Sequence, residues 1–317
     1  MKRYLPGSAI GRTLERMRVH AARCYDEEVA KLAWVVLTMG DRPAELHRAI
    51  SSLLAQRTSA TIIVFANGVD VGEVEASIPA NSDVSVFGSN RNLGAPGGRV
   101  AALAHLDNAI EILGFLDDDG EVLRSDLNDC LVAEFDEPDV AVVAMRLVDE
   151  GGSTNRRHVP RPGGRSAALP GDVPFFLAGA VAMRRSAYEL AGGYWAELVY
   201  AHEEIDLAWR ITDTGGRIVY RPGLTVFHPR TSISRHALGW WQTGRNRVAV
   251  ARRNLPISIL IVHVLIWLVI GAVRAPSGCR WAYVSGWLAG WRFDVQRRPI
   301  SYRTVMRLCG LGRLPVI

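Results

Sequence analysis

Short apolar runs alternate with amphipathic segments through the first two-thirds of the chain. The runs predict strands at residues 31–38, 61–66, 84–87, 112–116, 140–147, 175–183, 218–220 and 225–227. Segments with helical spacing of apolar residues lie at 43–56, 99–107 and 203–212. Strands that recur with helical crossovers predict an α/β domain, with a mostly parallel central sheet and helices on both faces.

Polar side chains follow three of the predicted strands where each strand ends. Thr38 ends the first strand, Asn67 follows the second, and Asp117 follows the strand 112–116. Open α/β sheets bind ligands beyond the carboxyl ends of their strands. The sequence therefore predicts one site at this edge of the sheet.

Three consecutive carboxylates, Asp117, Asp118 and Asp119, stand directly behind an apolar strand. Their mutual repulsion raises pKa values and disfavours folding unless a cation or hydrogen bonds compensate. A bound Mg²⁺ or Mn²⁺ would compensate this repulsion, because both ions prefer oxygen ligands and leave coordination positions for substrate phosphates. The alternative is a solvated acidic turn that precedes a helix capped by Ser125 or Asp126.

A second acidic cluster, HEEID at 202–206, opens a predicted helix. The helix dipole accounts for one acid in a first turn, but not for three acids and a histidine. A carboxylate in a cleft can act as general base, and apolar neighbours such as Tyr194, Trp195 and Trp209 would raise its pKa. His228 follows the last strand and is either structural or a third ligand to an ion held by carboxylates, since imidazole is compatible with Mn²⁺.

Residues 255–273 carry no formal charge and are flanked by arginines, and a Trp- and Tyr-rich stretch follows at 281–293. Length alone would let the first stretch span a bilayer. Pro256, Ser258 and His263 weaken that interpretation, and aromatic residues with arginine neighbours favour the headgroup boundary. An interfacial or re-entrant helical hairpin, a true span and a buried helix all remain open.

Composition and charge limit the classes of partner that the chain could bind. The chain has 317 residues with a net charge of +5, and its basic residues gather in the first 25 residues and at 245–313. Such a surface suits anionic lipid or a phosphorylated substrate better than nucleic acid, because the aromatic-basic repeats of an RNA-binding sheet are missing. The four cysteines have no paired spacing, which predicts a reducing compartment. The N-terminal segment predicts a basic amphipathic helix without a secretory h-region.

Seven sequence motifs, in their order along the chain, resemble those of a known family. They are VVLTMGDRPAELHRAISSLLAQ, IIVFANG, NRNLGAPGGRVAAL, GFLDDDG, FLAGAVAMRRSAYELAGGYWAEL, HEEIDLAWR and VFHP. Over residues 33–293 the chain resembles the family 2 inverting glycosyltransferases of the GT-A fold. Its tail GRNRVAVARRNLP and later apolar helices resemble the membrane-associated C-terminus of the rhamnosyl- and galactofuranosyltransferase-like branches.

The resemblance implies roles for individual residues. The metal ligands would be Asp117, Asp119 and His228, binding Mn²⁺ or Mg²⁺. Glu204 stands where the family has its catalytic aspartate, with Glu203 or Asp206 as substitutes. The nucleotide-sugar pocket would include Thr38, Arg42, Asn67, Asn92, Asp117 and Asp118, with Arg99 facing the diphosphate. Where the family often has Asp-Asn-Gly-Ser after its second strand, this chain has Ala66-Asn67-Gly68-Val69, so base recognition would depend on Asn67 or on backbone groups.

The resemblance also implies an organisation and an activity. We expect a basic helical extension at 1–30, a GT-A catalytic domain at 31–236 and a membrane-associated helical region at 237–317. The expected activity is metal-dependent transfer, with inversion, from a nucleotide-diphosphate sugar to a hydroxyl of a glycan or lipid-linked acceptor, in cell-surface polysaccharide synthesis at the cytoplasmic face of the membrane. The alternatives are a nucleotidyltransferase and a non-catalytic membrane-bound glycan-binding subunit. The first is disfavoured because the turn after the first strand, MGDRP at 39–43, is poor in glycine.

Overall fold

The computed structural model describes residues 32–80, 82–230 and 238–312, so the predicted extension at 1–30 lies outside the described residues. The strands are β1 (Leu32–Thr38), β2 (Thr61–Asn67), β3 (Val84–Ser89), β4 (Ile112–Asp117), β5 (Glu121–Val122), β6 (Val140–Val148), β7 (Gly171–Asp172), β8 (Ala180–Arg184) and β9 (Arg217–Phe227). The helices of the same domain are α1 (Pro43–Leu54), α2 (Val71–Glu75), α3 (Gly94–Leu103), α4 (Leu127–Glu134), α5 (Arg185–Leu190) and α6 (Glu203–Asp213). Four helices follow: α7 (Gly239–Asn254), α8 (Ile257–Arg274), α9 (Arg280–Gly290) and α10 (Tyr302–Gly310).

The strands form one sheet in the order β3-β2-β1-β4-β8-β6-β9-β5, with β7 paired to β9. Strands β1 to β4 are mutually parallel, and β8 runs antiparallel to both β4 and β6. Since β8 is antiparallel to both, β6 runs in the same direction as β4, and β9 is parallel to β6. Among these nine strands, β5, β7 and β8 run in the opposite direction. The mostly parallel α/β sheet predicted from the sequence is confirmed.

Each face of the sheet carries its own apolar core, because the inward positions of the central strands alternate between faces. One core joins the strands to α1 and α4 through residues such as Trp34, Ile50 and Leu127. The other joins them to α3 and α6 through residues such as Phe115 and Leu207. The two layers of helices leave the carboxyl ends of the strands as the free edge where a site can form.

The C-terminal helices share a third apolar cluster with the sheet domain. Leu198 and Trp209 pack there against residues of α7, α8 and α10, including Val248, Val264 and Leu308. The helices after residue 238 are therefore packed against the α6 side of the domain.

The structure corrects three predicted segments. The strand expected at 175–183 begins only at Ala180, and 175–179 is irregular. The helix expected from Arg99 begins at Gly94, since its first turn is built from glycine, alanine and proline, which give no apolar periodicity. The two short strands at 218–220 and 225–227 form one strand, β9, in which residues between Arg221 and Thr225 bulge out of the ladder with β6.

Candidate active site

A candidate metal centre lies at the carboxyl edge of the sheet. Asp117 ends β4, Asp119 follows it in the turn, and His228 follows β9. The Nε2 atom of His228 lies 3.6 Å from Oδ2 of Asp117 and 3.4 Å from Oδ1 of Asp119. The three candidate ligand atoms all lie within 4.8 Å of one another. The structure therefore brings together the three residues that the sequence assigned to the metal.

These residues suit a hard divalent cation. Oδ1 of Asp119 is buried and has no hydrogen-bond partner among the described residues. A buried carboxylate oxygen without a partner is unfavourable, and two carboxylates with one imidazole are ligands that Mn²⁺ accepts. Burial raises the pKa of Asp117, but the hydrogen bond with His228 and the charge of Arg99 outweigh it, so the pKa lies below its ordinary value. Asp117 is thus ionised and available as a ligand.

The acidic turn is fixed from β1 and the loop after it. Asp118 accepts a hydrogen bond from the Thr38 hydroxyl at 2.8 Å, and its other oxygen lies 2.7 Å from a guanidinium nitrogen of Arg42. Arg42 also forms an ion pair with Asp119. Asp118 and Asp119 are only 3 % and 6 % exposed, so the turn is not solvated, although Asp126 is the N-cap residue of α4 as that alternative expected. The side chains of Thr38 and Arg42, expected to contact the nucleotide, hold the carboxylates in place.

Asn67 and Asn92 also serve the loops around the pocket. The Asn67 amide donates to Oδ1 of Asn92 and to the Gly94 carbonyl, and it accepts from the Leu93 N–H. Asn67 is buried and its donors and acceptor are engaged by the protein. In this structure the Asn67 side chain therefore fixes the entry into α3.

A second cluster lies at the start of α6. Glu203 is 4 % exposed, and its Oε2 atom has no hydrogen-bond partner among the described residues. Burial and the charge of Glu204 raise the pKa of Glu203 to about 8. Desolvation also raises the pKa of Glu204, although its carboxylate receives backbone hydrogen bonds from Glu204 itself and from Ala178. Two neighbouring carboxylates with raised pKa values fit general-base chemistry.

Arg99 connects the two clusters. Its guanidinium lies 3.4 Å from Oδ1 of Asp117 and 3.9 Å from Oε1 of Glu203, and it stands over the Tyr194 ring. Burial lowers the pKa of Arg99, but Tyr194, Asp117 and Glu203 outweigh that effect and the net pKa is raised. The predicted diphosphate contact is therefore a buried cation that bridges the candidate metal centre and the candidate base.

The chain before α6 is strained. Val199, Ala201 and His202 have φ angles of 64°, 69° and 70°, in the left-handed region that favours glycine. Such conformations cost about 1–3 kcal/mol each and persist only when their surroundings impose them. His202 is the N-cap residue of α6, so this turn sets the direction in which Glu203 and Glu204 leave the helix start.

Asp206 is not part of this group. It is fully buried, pairs with Arg210 and with Arg253 of α7, and accepts a hydrogen bond from Asn254 at 2.7 Å. Each of its carboxylate oxygens is thus bound to side chains that join α6 to α7. The geometry gives Asp206 a structural role and does not support it as a substitute base.

Sequence reasoning missed two contributors to the site, Gly179 and His158, and it named Tyr194 only as an apolar neighbour of the base. A Cβ at Gly179 would lie 2.8 Å from Oδ2 of Asp117, so only glycine lets the chain pass this close to the metal centre. The His158 ring, in the loop between β6 and β7, packs edge-on against His228 with ring centroids 5.3 Å apart. The Tyr194 hydroxyl is buried without a hydrogen-bond partner among the described residues. The motif that begins FLAGA carried a signal for Gly179. The length of the loop at 151–172 indicated a functional segment, but no pattern in it marked His158.

A cavity of about 600 Å³ opens beside the second acidic cluster. It lies between the loop after β6 and the helices α7 to α9, and Glu204 is on its wall. Its basic lining residues are Arg156, Arg157, Arg161, Arg247 and Arg274, and its aromatic ones are Phe175, Phe176, Trp240, Trp267 and Tyr283. The cavity is therefore positively charged and rich in aromatic surface.

Comparison with known proteins agrees with this geometry. Residues 34–191 match the model of the family described as Glycosyl transferase family 2. Two curated relatives, pre-mycofactocin glycosyltransferases from two strains of Mycobacterium tuberculosis, are each 29 % identical over 203 residues. The match covers 61 % of this chain and 42 % of each relative, so the chain spans less than half the length of these relatives.

Two solved structures are similar in fold. GalNAc-T7, with UDP, GalNAc and Mn²⁺, has a TM-score of 0.60 and 16 % identity, over 83 % of this chain and 55 % of its own. The mannosyltransferase PcManGT from Pyrobaculum calidifontis, in complex with GDP-Man and Mn²⁺, has a TM-score of 0.52 and 16 % identity, over 96 % of this chain and 84 % of its own. The fold is thus the GT-A fold. The chain belongs to glycosyl transferase family 2.

Proposed function

We propose that this protein is a metal-dependent inverting glycosyltransferase, which moves a sugar from a nucleotide-diphosphate sugar to an acceptor hydroxyl. The observation that carries the proposal is the bridge through Arg99. It joins the metal-ligand group of Asp117, Asp119 and His228 to the carboxylates of Glu203 and Glu204 at one sheet edge. One cluster suits a diphosphate leaving group and the other suits activation of a nucleophile, which are the two requirements of glycosyl transfer.

Glu204 is the proposed general base. It lies on the wall of the arginine-lined cavity, where an acceptor hydroxyl would approach. Its raised pKa makes it a stronger base than an exposed carboxylate, and Ala178 and its own backbone N–H orient the carboxylate. Because the mechanism uses one base and no enzyme nucleophile, the acceptor attacks the anomeric carbon in a single displacement. The configuration at that carbon is therefore inverted.

Asp117, Asp119 and His228 would hold Mn²⁺ or Mg²⁺. When bound, the ion neutralises charge on the departing nucleoside diphosphate as a Lewis acid. The chain's own contribution is to keep the carboxylates fixed through Thr38 and Arg42. The similar folds of GalNAc-T7 with UDP and of PcManGT with GDP-Man, both with Mn²⁺, support this donor class.

The acceptor would enter through the cavity beside Glu204. Five arginines against one glutamate on its wall favour an acceptor with an anionic group, and the aromatic rings favour stacking on sugar faces. The proposed acceptor is accordingly a glycan or lipid-linked glycan that carries a negative charge.

We further propose attachment to the cytoplasmic face of the cell membrane through α8. This helix has a mean hydropathy of 2.4 and only 28 % of it is buried within the protein. By length and composition alone it would also suit the core of a soluble protein, but its exposed side carries Ile261, Leu265 and Val269. The exposed side supports contact with lipid. The proposed pathway is cell-surface polysaccharide synthesis.

Turnover measurements separate this proposal from its alternatives. The purified protein is incubated with a panel of nucleotide sugars and membrane extract as the acceptor source, and separately with nucleoside triphosphates and sugar phosphates, each with Mn²⁺ and with EDTA. Release of the nucleoside diphosphate with Mn²⁺, with transfer of the sugar, supports a glycosyltransferase. Release of pyrophosphate from a nucleoside triphosphate and a sugar phosphate would indicate a nucleotidyltransferase. Donor binding without turnover across the panel would indicate a non-catalytic subunit.

A further inference from the structure

The side chain of Asn246, in α7, contacts the strained turn that precedes α6. It is fully buried, and its amide nitrogen lies 2.9 Å from the Leu198 carbonyl, 2.6 Å from that of Tyr200 and 2.9 Å from that of Ala201. Its Oδ1 atom accepts from Nε of Arg245 at 2.8 Å. One side-chain amide thus contacts three backbone carbonyls within a segment of four consecutive residues.

These carbonyls belong to the segment with left-handed backbone. Asn246 donates to the carbonyls of Leu198, Tyr200 and Ala201, and two residues of the same segment, Val199 and Ala201, have positive φ angles. The turn is supported from its other side as well, because the Ala95 N–H donates to the Val199 carbonyl at 2.8 Å. A Cβ at Gly94 would come within 2.3 Å of that same oxygen, so α3 lies directly against the turn.

We infer that Asn246 is a positioning residue for Glu204, acting through this turn. Three carbonyl oxygens in one small region repel one another unless donors stand between them. The buried Asn246 NH₂ group donates at all three carbonyls, whereas the Arg245 guanidinium reaches only that of Leu198, at 2.8 Å. Without the Asn246 amide the residues with positive φ relax, and the first turn of α6 rotates with them. The inference rests on the proposed function, since it assigns Glu204 the role of base.

The placement of Asn246 also gives the C-terminal helices a part in catalysis. The family match ends at residue 191, whereas Asn246 lies in α7 beyond it. The same helix holds Asp206 of α6 through Arg253 and Asn254. Helix α7 thus fixes both the turn before α6 and the first turn of α6 itself.

Asn246→Ala tests the inference, with Asn128→Ala as a matched control. Asn128 is equally buried and its side chain also bonds a backbone carbonyl, that of Thr58, but it packs in the α4 region away from the site. Both variants lose an internal amide and lose stability. Only Asn246→Ala should lower kcat per folded molecule, by about 100-fold for a displacement of about 1 Å, while donor affinity changes little.

A rescue distinguishes positioning from general damage. Glycine adopts positive φ without steric cost, so Ala201→Gly in the Asn246→Ala background should recover a substantial part of kcat. Hydrogen exchange should show faster exchange at 199–204 in Asn246→Ala than in wild type, and restored protection in the double variant. A kcat for Asn246→Ala equal to that of Asn128→Ala, or no recovery in the double variant, would overturn the inference alone. No sugar transfer by the wild type would overturn the proposed function and the inference with it.

Discussion

At the residue scale, the site depends on carboxylates whose protonation the protein controls. We predict that Glu204→Gln lowers kcat by about 10²–10⁴-fold, the usual contribution of a general base, because the amide cannot accept a proton. Donor affinity should stay within about twofold, since Glu204 lies on the acceptor cavity wall. Glu204→Asp should recover part of the rate. Normal turnover by Glu204→Gln together with a dead Glu203→Gln would move the role to Glu203.

The pH profile provides a second prediction at this scale. A base works deprotonated, so activity falls as the pH drops through its pKa in the folded protein. Desolvation raises the pKa of Glu204 above the ordinary 4.5, with Arg99 opposing and Asp117 reinforcing the shift. The acidic limb of kcat/KM should therefore lie above pH 4.5. Mn²⁺ binding, measured over the same range, separates this limb from loss of metal, and a flat profile down to about pH 4.5 contradicts the assignment.

Residue identity at the site was predictable where the chemistry is local in sequence. Asp117, Asp119 and Glu204 stand at strand or helix ends, so pattern and chemistry together locate them. The partners of these groups were not predictable, because contacts such as Thr38 with Asp118 join residues 80 positions apart. A similar separation along the sequence explains why Arg42 was expected at the nucleotide but forms ion pairs with the acidic turn.

At the element scale, α8 has two unlike faces. Ile257, Ile261, Leu265, Val269 and Val273 recur every fourth residue and are all exposed, whereas Leu260, Val264 and Trp267 are buried. The sequence gives both sets the same apolarity, so periodicity could not show which side packs on the protein. The buried side belongs to the cluster that covers Trp209, so a chain ending at Asn254 would lose core packing as well as any membrane contact.

Surface substitutions on α8 therefore test membrane attachment better than truncation. We predict that Ile261→Ser, Leu265→Ser and Val269→Ser together reduce the fraction that floats with phosphatidylglycerol vesicles by at least about tenfold, because each removes exposed apolar area. The matched control replaces Leu123, Leu169 and Leu190, which are equally exposed but lie in the sheet domain, by serine. Equal flotation by both triple variants would place the lipid contact elsewhere, and a wild type that never floats would contradict attachment.

At the scale of the whole molecule, the loop after β6 and the C-terminal helices enclose the cavity beside Glu204. The metal-ligand group lies at the sheet edge and is joined to Glu203 through Arg99. The sheet and its direction followed from alternating patterns that each segment carries by itself. The enclosure did not, because it depends on how the C-terminal helices pack against Leu198 and Trp209. Donor binding at the metal-ligand group should stabilise the folded protein as a whole.

The last prediction concerns that linkage. A ligand that binds only the folded state at 100 times its Kd adds about 2.7 kcal/mol to the free energy of unfolding. For a chain of this size that corresponds to a rise in Tm of several degrees, at about 2–4 °C per kcal/mol. UDP or GDP with Mn²⁺ should produce the rise in wild type, and EDTA should abolish it. Asp119→Asn should remove the Mn²⁺-dependent part because Asp119 Oδ1 is a candidate ligand atom, whereas the exposed Asp136→Asn should respond as wild type does. A full Mn²⁺-dependent rise in Asp119→Asn would show that the ion binds without this carboxylate and would contradict the proposed metal centre.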